Sequence, residues 1–220
     1  MENHLLSIVT FLPVFGALVI ALIPREKLDI IRWGTVAITG LQLILAIWIL
    51  KVFDFSSHDV QLVEHFAWIP DFNIEYFMGI DGLSAPMVLL TALLSFLAVF
   101  TSWNIEKAQK GYFALFLLLD AGMMGVFVSL DFFLFYIFWE VMLLPMYFLI
   151  GIWGGPQREY AAIKFFLYTL FGSVLLLLGM LALYFISEPH TFNMLILAEQ
   201  SAQYGKTMLL GMNAGKVIFI

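Results

Sequence analysis

The chain has 220 residues, of which 63% are hydrophobic, 17% aromatic and 12% charged, with a formal net charge of -6. The charged share is about half the usual one, and a core this small cannot hide so much apolar surface, so an ordinary soluble globule is excluded and lipid is the expected surroundings. The acidic balance, with a pI near 5.1, argues against a nucleic-acid partner, which would call for clustered Lys and Arg. The absence of Cys removes disulfides, thiolate metal sites and a thiol nucleophile.

A membrane-crossing helix needs about 20 mainly apolar residues, and such runs recur along the chain. The expected spans cover residues 5–23, 30–53, 82–103, 112–130, 132–153 and 160–186, with a seventh beginning near Met208 and cut off at Ile220. Together they predict an all-α polytopic transmembrane helix bundle, organised as a single membrane domain and incomplete at its C-terminal end. The first run is not read as a removable signal peptide, because Met-Glu-Asn-His precedes it in place of a basic segment. Residues 54–81 form a long acidic loop whose Phe66, Trp68, Ile69, Phe72, Tyr76 and Phe77 suit an interfacial hairpin or short helix. Gly154-Gly155-Pro156 and Glu188-Pro189 stop the fifth and sixth spans, and a weakly amphipathic stretch between His190 and Lys206 is read as a surface helix.

Cytoplasmic connections carry the excess of Lys and Arg. Arg25, Lys27, Arg32, Lys107, Lys110 and Arg158 flank the connections after spans one, three and five, whereas only Lys51 and Lys206 lie close to span ends on the other side. The expected orientation therefore has the N-terminus and the 54–81 loop outside.

An ionisable residue inside a span is expensive, and so is a functional candidate. Asp120 lies nine residues after Gly111, and Glu140 nine after Asp131, which places each roughly 13 Å deep at 1.5 Å per residue. Lys164, five residues after Glu159, is only about 7 Å from the cytoplasmic edge. Tyr136, Glu140, Leu144 and Tyr147 share a helix face, and Pro145 frees the carbonyl of Val141 close to the acid. Lys164, Tyr168, Gly172 and Gly179 share a face of span six that is expected to look into protein. Each candidate has an ordinary structural reading beside it. Function is favoured for Glu140 over a buried structural acid, and slightly favoured for Lys164 over a snorkelling anchor; for Asp120 the structural reading is ahead. Asp131 reads as the N-cap of span five. By rise alone Glu140 and Lys164 differ in depth by roughly 6 Å or more, so they are not expected to form a direct pair.

The run Asp131-Phe-Phe-Leu-Phe-Tyr-Ile-Phe-Trp-Glu140-Val-Met-Leu-Leu-Pro145-Met-Tyr-Phe-Leu-Ile150, followed by Gly151-Ile-Trp-Gly-Gly and by Tyr160-Ala-Ala-Ile-Lys164-Phe-Phe-Leu-Tyr168, resembles the antiporter-like membrane subunits of proton-pumping NADH-quinone oxidoreductase, respiratory complex I, in their M branch. Gly79-Ile-Asp-Gly-Leu-Ser84 and Thr10-Phe-Leu-Pro13 match as well, so the resemblance covers essentially the whole chain. It implies a bundle of about fourteen spans built from two inverted five-helix repeats, without a redox centre, of which this chain is less than half. It also implies that Glu140 and Lys164 belong to a buried proton relay, with Asp120 a weaker member, and that the lysine partner of Glu140 lies beyond Ile220. No cofactor is expected on this chain; NADH, FMN, iron-sulfur clusters and quinone belong to other subunits of the complex. The implied partners are neighbouring antiporter-like subunits and the lipid bilayer, in the inner membrane of a bacterial cell. A subunit of a multisubunit cation/proton antiporter, a subunit of a membrane-bound hydrogenase and a non-functional fragment are the alternatives.

Overall fold

The computed structural model describes residues 4–200, together with the backbone of 208–209 and 212–213. Among the described residues six helices are long and apolar enough to cross a membrane. They are α1 (Leu5–Leu22), α2 (Leu28–Val52), α3 (Ser84–Thr101), α4 (Gln109–Val128), α5 (Phe132–Trp153) and α6 (Arg158–Ile186). Consecutive helices run in opposite directions, so one end of the bundle collects the connections after α1, α3 and α5. That end bears Arg25, Lys27, Lys107, Lys110 and Arg158, and its loops are tied together: the Trp153 indole donates to the Lys107 carbonyl at 2.6 Å, and Lys107 Nζ donates to the Ile152 carbonyl at 3.4 Å.

The other end carries a hairpin. Strands β1 (Gln61–Ile69) and β2 (Ile74–Ile80) pair antiparallel, joined through a single 3-10 turn at Pro70–Phe72 and by Asn73 in the left-handed region at φ 49°. Asn is one of the few non-glycine residues that adopts this conformation readily. Residues 77–80 of β2 are buried, and the Phe77 carbonyl accepts from Leu130 N at 2.9 Å. This bond draws the chain out of the helix: α4 stops at Val128, two residues before the expected end at Leu130. A short helix, α7 (Met194–Glu199), is capped by the Asn193 side chain and packs Leu197 with Leu183 against Phe132 and Ile186. Of the expected seventh span, only Met208–Leu209 and Met212–Asn213 fall within the described residues, where they pair as two-residue antiparallel strands; the remainder lies outside them.

Helix α4 is the hub, packing against α1, α2, α3 and α5. Its contact with α5 depends on small residues. A Cβ at Gly125 would stand 2.2 Å from the Phe138 ring, and one at Gly122 would stand 2.5 Å from the Met142 side chain, so two glycines let the backbones approach. One apolar core near the hairpin joins Leu6, Val9, Ile49, Met78, Val88 and Met124; a second, toward the basic end, joins Ile20, Ile31, Val99, Phe113 and Leu117. Phe15, Ile44, Trp48, Phe171 and Phe185 are exposed, an outer surface suited to lipid. Helix α6 packs chiefly on α5.

Candidate functional site

Helix α5 begins where the sequence marks it. Asp131 is its N-cap and accepts from Phe133 N and Leu134 N at 2.9 and 3.1 Å. Its second oxygen accepts from Glu75 N in β2 at 3.2 Å. Burial pushes the Asp131 carboxyl up from its ordinary value in spite of these three donors. Glu75 in turn pairs with His65 at 3.0 Å and accepts from the Asn193 amide at 3.0 Å, so the start of α5 is clasped to both the hairpin and the α7 segment.

Two turns further on, Glu140 is half-buried. Its Oε1 is buried and has no hydrogen-bond partner among the described residues. The Tyr136 hydroxyl stands within interaction range of both Glu140 and Ser173 of α6, and lower on the same face the Tyr147 ring lies 5.5 Å from that of Phe166. The stripe read from helical spacing therefore points toward α6. Pro145 is buried within the continuous helix, and its missing N–H leaves the Val141 carbonyl without a helical donor.

Lys164 is exposed, and its Nζ lies 5.6 Å over the Tyr160 ring one turn back, a cation–π contact. It borders an open cavity of about 450 Å³ together with Gln157, Tyr160, Ala161, Phe165 and Tyr168. The structure does not bring it to Glu140. Counted from the α5–α6 turn, the two residues differ in height by roughly 11 Å at 1.5 Å per residue, and among the described residues Glu140 forms no ion pair. The Lys164 face was expected to look into protein, but no described element covers it: Tyr168 is 83% exposed and Gly172 has open space beside it.

Asp120 is fully buried in α4. Ser95 of α3 donates to its Oδ1 at 2.5 Å, while Oδ2 has no partner among the described residues. Gln42 of α2 also reaches Asp120. Its amide further donates to the Val9 carbonyl of α1 at 3.4 Å, the carbonyl that Pro13 cannot serve.

Sequence reading missed Ser95 and Gln42, although a glutamine in the apolar run of α2 and a proline in α1 are both visible signals. It also missed Glu64, read only as loop charge. Glu64 is buried and caps α1 from a distance, accepting from Leu6 N at 2.8 Å and Ser7 N at 3.1 Å, and also from the Ser7 hydroxyl. Among the described residues no group of three or more His, Asp or Glu side chains stands where it could hold a metal ion.

Six spanning helices, a hairpin closing one end and ionisable groups set inside the spans define a polytopic helical membrane protein. Residues 11–129 match the family described as NADH-ubiquinone oxidoreductase chain 4, amino terminus, and residues 129–215 match that described as NADH:quinone oxidoreductase/Mrp antiporter, TM. The chain belongs to the NADH-ubiquinone oxidoreductase chain 4 family. It is 38% identical over 202 residues to NAD(P)H-quinone oxidoreductase chain 4 1 of Synechococcus sp. (strain JA-2-3B'a(2-13)), covering 91% of this chain and 38% of that one. It is 43% identical over 189 residues to NADH-quinone oxidoreductase subunit M of Rhodobacter capsulatus, covering 84% and 36%. A solved structure of respiratory complex I from Thermus thermophilus with bound NADH contains a chain that aligns with a TM-score of 0.76 at 26% identity, over 88% of this chain and 39% of that one. The chain thus spans less than two fifths of the length of these relatives.

Proposed function

We propose that this chain forms the first part of a proton-translocating membrane subunit of an NADH-quinone oxidoreductase, with Glu140 and Lys164 as members of a relay in the complete subunit. The observation that carries the reading is Glu140: a half-buried carboxyl at mid-span with one buried oxygen unpartnered, beside Tyr136 and Ser173, in a chain of this family. A carboxyl so placed takes up and releases a proton, and the Tyr136 hydroxyl, which both donates and accepts, passes it along the α5–α6 seam. Lys164 acts through its charge. At roughly 11 Å and an effective dielectric of 20, its protonation changes the energy of an ionised Glu140 by at most about 1.5 kcal/mol, enough to bias a proton equilibrium about tenfold without a direct ion pair.

In this reading the chain carries out no redox step of its own, and NADH, FMN, iron-sulfur clusters and quinone are handled by other subunits. Neighbouring antiporter-like subunits and lipid are its partners, in the cytoplasmic membrane of a bacterial cell. The gathering of Arg25, Lys27, Lys107, Lys110 and Arg158 at one end supports an N-terminus outside.

Glu140→Gln in the complete subunit within its complex lowers NADH-driven proton translocation by about tenfold or more and leaves NADH oxidation by the peripheral part intact. Unchanged translocation in an assembled variant overturns the relay. The match over residues 129–215 also covers Mrp antiporters, which favours a cation/proton antiporter subunit as a second reading. Neighbouring genes for NADH-oxidising subunits decide for the first reading, and genes for antiporter subunits alone for the second.

A further inference from the structure

A second ionisable centre lies in α1–α4, apart from the α5–α6 seam. Three buried side chains meet there from three helices: Ser95 donates to Asp120, and Gln42 reaches it. Their convergence starts with Pro13. Lacking an N–H, it opens the α1 ladder at the Val9 carbonyl, and the Gln42 amide crosses from α2 to that carbonyl while also reaching Asp120.

The hydrogen-bond inventory of this cluster does not close. Ser95 donates to Asp120 Oδ1, and the Gln42 amide is engaged, but Asp120 Oδ2 and Gln42 Oε1 are both buried and without partners among the described residues. Both are acceptors when Asp120 is ionised. The cluster is therefore short of donors. Asp120 makes no ion pair with any described residue, and the side chains that reach it, Gln42 and Ser95, are uncharged. A proton on Oδ2 supplies one missing donor.

We propose that Gln42, Ser95 and Asp120 form a second proton-binding site, occupied by a neutral Asp120 carboxyl. It rests on the proton-translocating reading above for its use, but not for its existence. Asp120 and Glu140 each sit eight residues from the hairpin-side end of their helix, about 12 Å deep, so the two acids are level. They look away from each other, however: Gly122 and Gly125 of α4 meet Phe138 and Met142 of α5, and both acids lie on the far sides of that contact. The Asp120 site is thus a separate station and not a branch of the Glu140 seam.

Infrared spectroscopy of the complete subunit in its complex tests this directly. The expected result is a carbonyl-stretch band of a protonated carboxyl that shifts in D₂O, disappears in Asp120→Asn, persists in Glu140→Gln, and shifts in Ser95→Ala as the donor to Oδ1 is lost. Absence of such a band, its survival in Asp120→Asn, or its failure to shift in D₂O overturns the proposal. If Asp120→Asn does not assemble, Ser95→Ala decides, because an unshifted band there assigns the signal to another acid. Persistence of the band together with normal translocation in Glu140→Gln sinks the relay while leaving this site standing.

Discussion

The hairpin with α1–α4 and the outer face of α5–α6 both hold charge away from water, and they treat it in opposite ways. In the first region the carboxylates are answered by the chain itself: Glu64 by two amides and a hydroxyl, Asp131 by three amides, Glu75 by His65 and Asn193. In the second, Glu140 keeps an unpartnered oxygen and Lys164 points into open space beside Tyr160. Half of α4 is buried but only 22% of α5 and of α6. A closed network fixes geometry, because every donor it orders would be left unpaired on removal. An open one leaves its ionisable groups free to exchange protons or meet further protein. Asp120 belongs to the first region by position and to the second by its unpartnered oxygen.

If this contrast is right, the largest stability loss comes from the closed region. Glu64→Ala strips the acceptor from two amides at the start of α1 and from Ser7. At about 1.5–3 kcal/mol for hydrogen bonds to a charged group, the variant loses about 3 kcal/mol in denaturant unfolding of the purified complete subunit, whereas Glu140→Gln stays within about 0.5 kcal/mol of wild type. Equal losses in the two variants break the distinction. The next effect tests packing. Gly125→Ala drives a methyl into the Phe138 ring and costs about 1–3 kcal/mol, while Gly172→Ala, with nothing within 4 Å, is neutral or stabilising by up to about 1 kcal/mol. A destabilised Gly172→Ala in the complete subunit shows instead that the Lys164 face is covered there.

What was legible in the sequence follows from the same contrast. Hydropathy located the helices because each span is a local pattern about 20 residues long. The Asp131 cap was legible because its partners are two and three residues away. Glu140 and Lys164 stood out as charges in apolar runs, and the rise per residue already set them at different heights. Glu64 was not legible, because its partners Leu6 and Ser7 are more than fifty residues distant and nothing in the 54–81 loop marks one acid among six. Nor was the Gln42 bridge: its meaning depends on Pro13 in another helix. The covering of the Lys164 face was expected from its glycines, but small residues signal close approach only where a neighbour is present, and Gly172 has none among the described residues.

The smallest effect lies at the start of α3 and depends on pH. Asp81 Oδ1 accepts from Ser84 N at 2.7 Å and Leu83 N at 3.1 Å, while Asp81 N donates to the Ser84 hydroxyl at 2.8 Å. The Ser84 amide, aided by the Ser84 hydroxyl and the Leu83 amide, holds the carboxyl below its ordinary value of 3.8 against an opposing effect of partial burial. Because the folded-state value is depressed, this contribution is fully present above pH 3.8 and is lost as pH falls through the lower folded-state value. Asp81→Ala therefore costs about 0.5–1 kcal/mol at neutral pH, the low end for a cap because the carboxylate is exposed and screened. The gap between variant and wild type closes in acid. Asp81→Asn keeps an acceptor oxygen that does not titrate, so its stability relative to Asp81→Ala stays constant. Unfolding of the purified complete subunit across that range separates the three proteins, and an Asp81→Ala deficit that persists undiminished in acid shows that packing, and not the carboxylate, holds the first turn of α3.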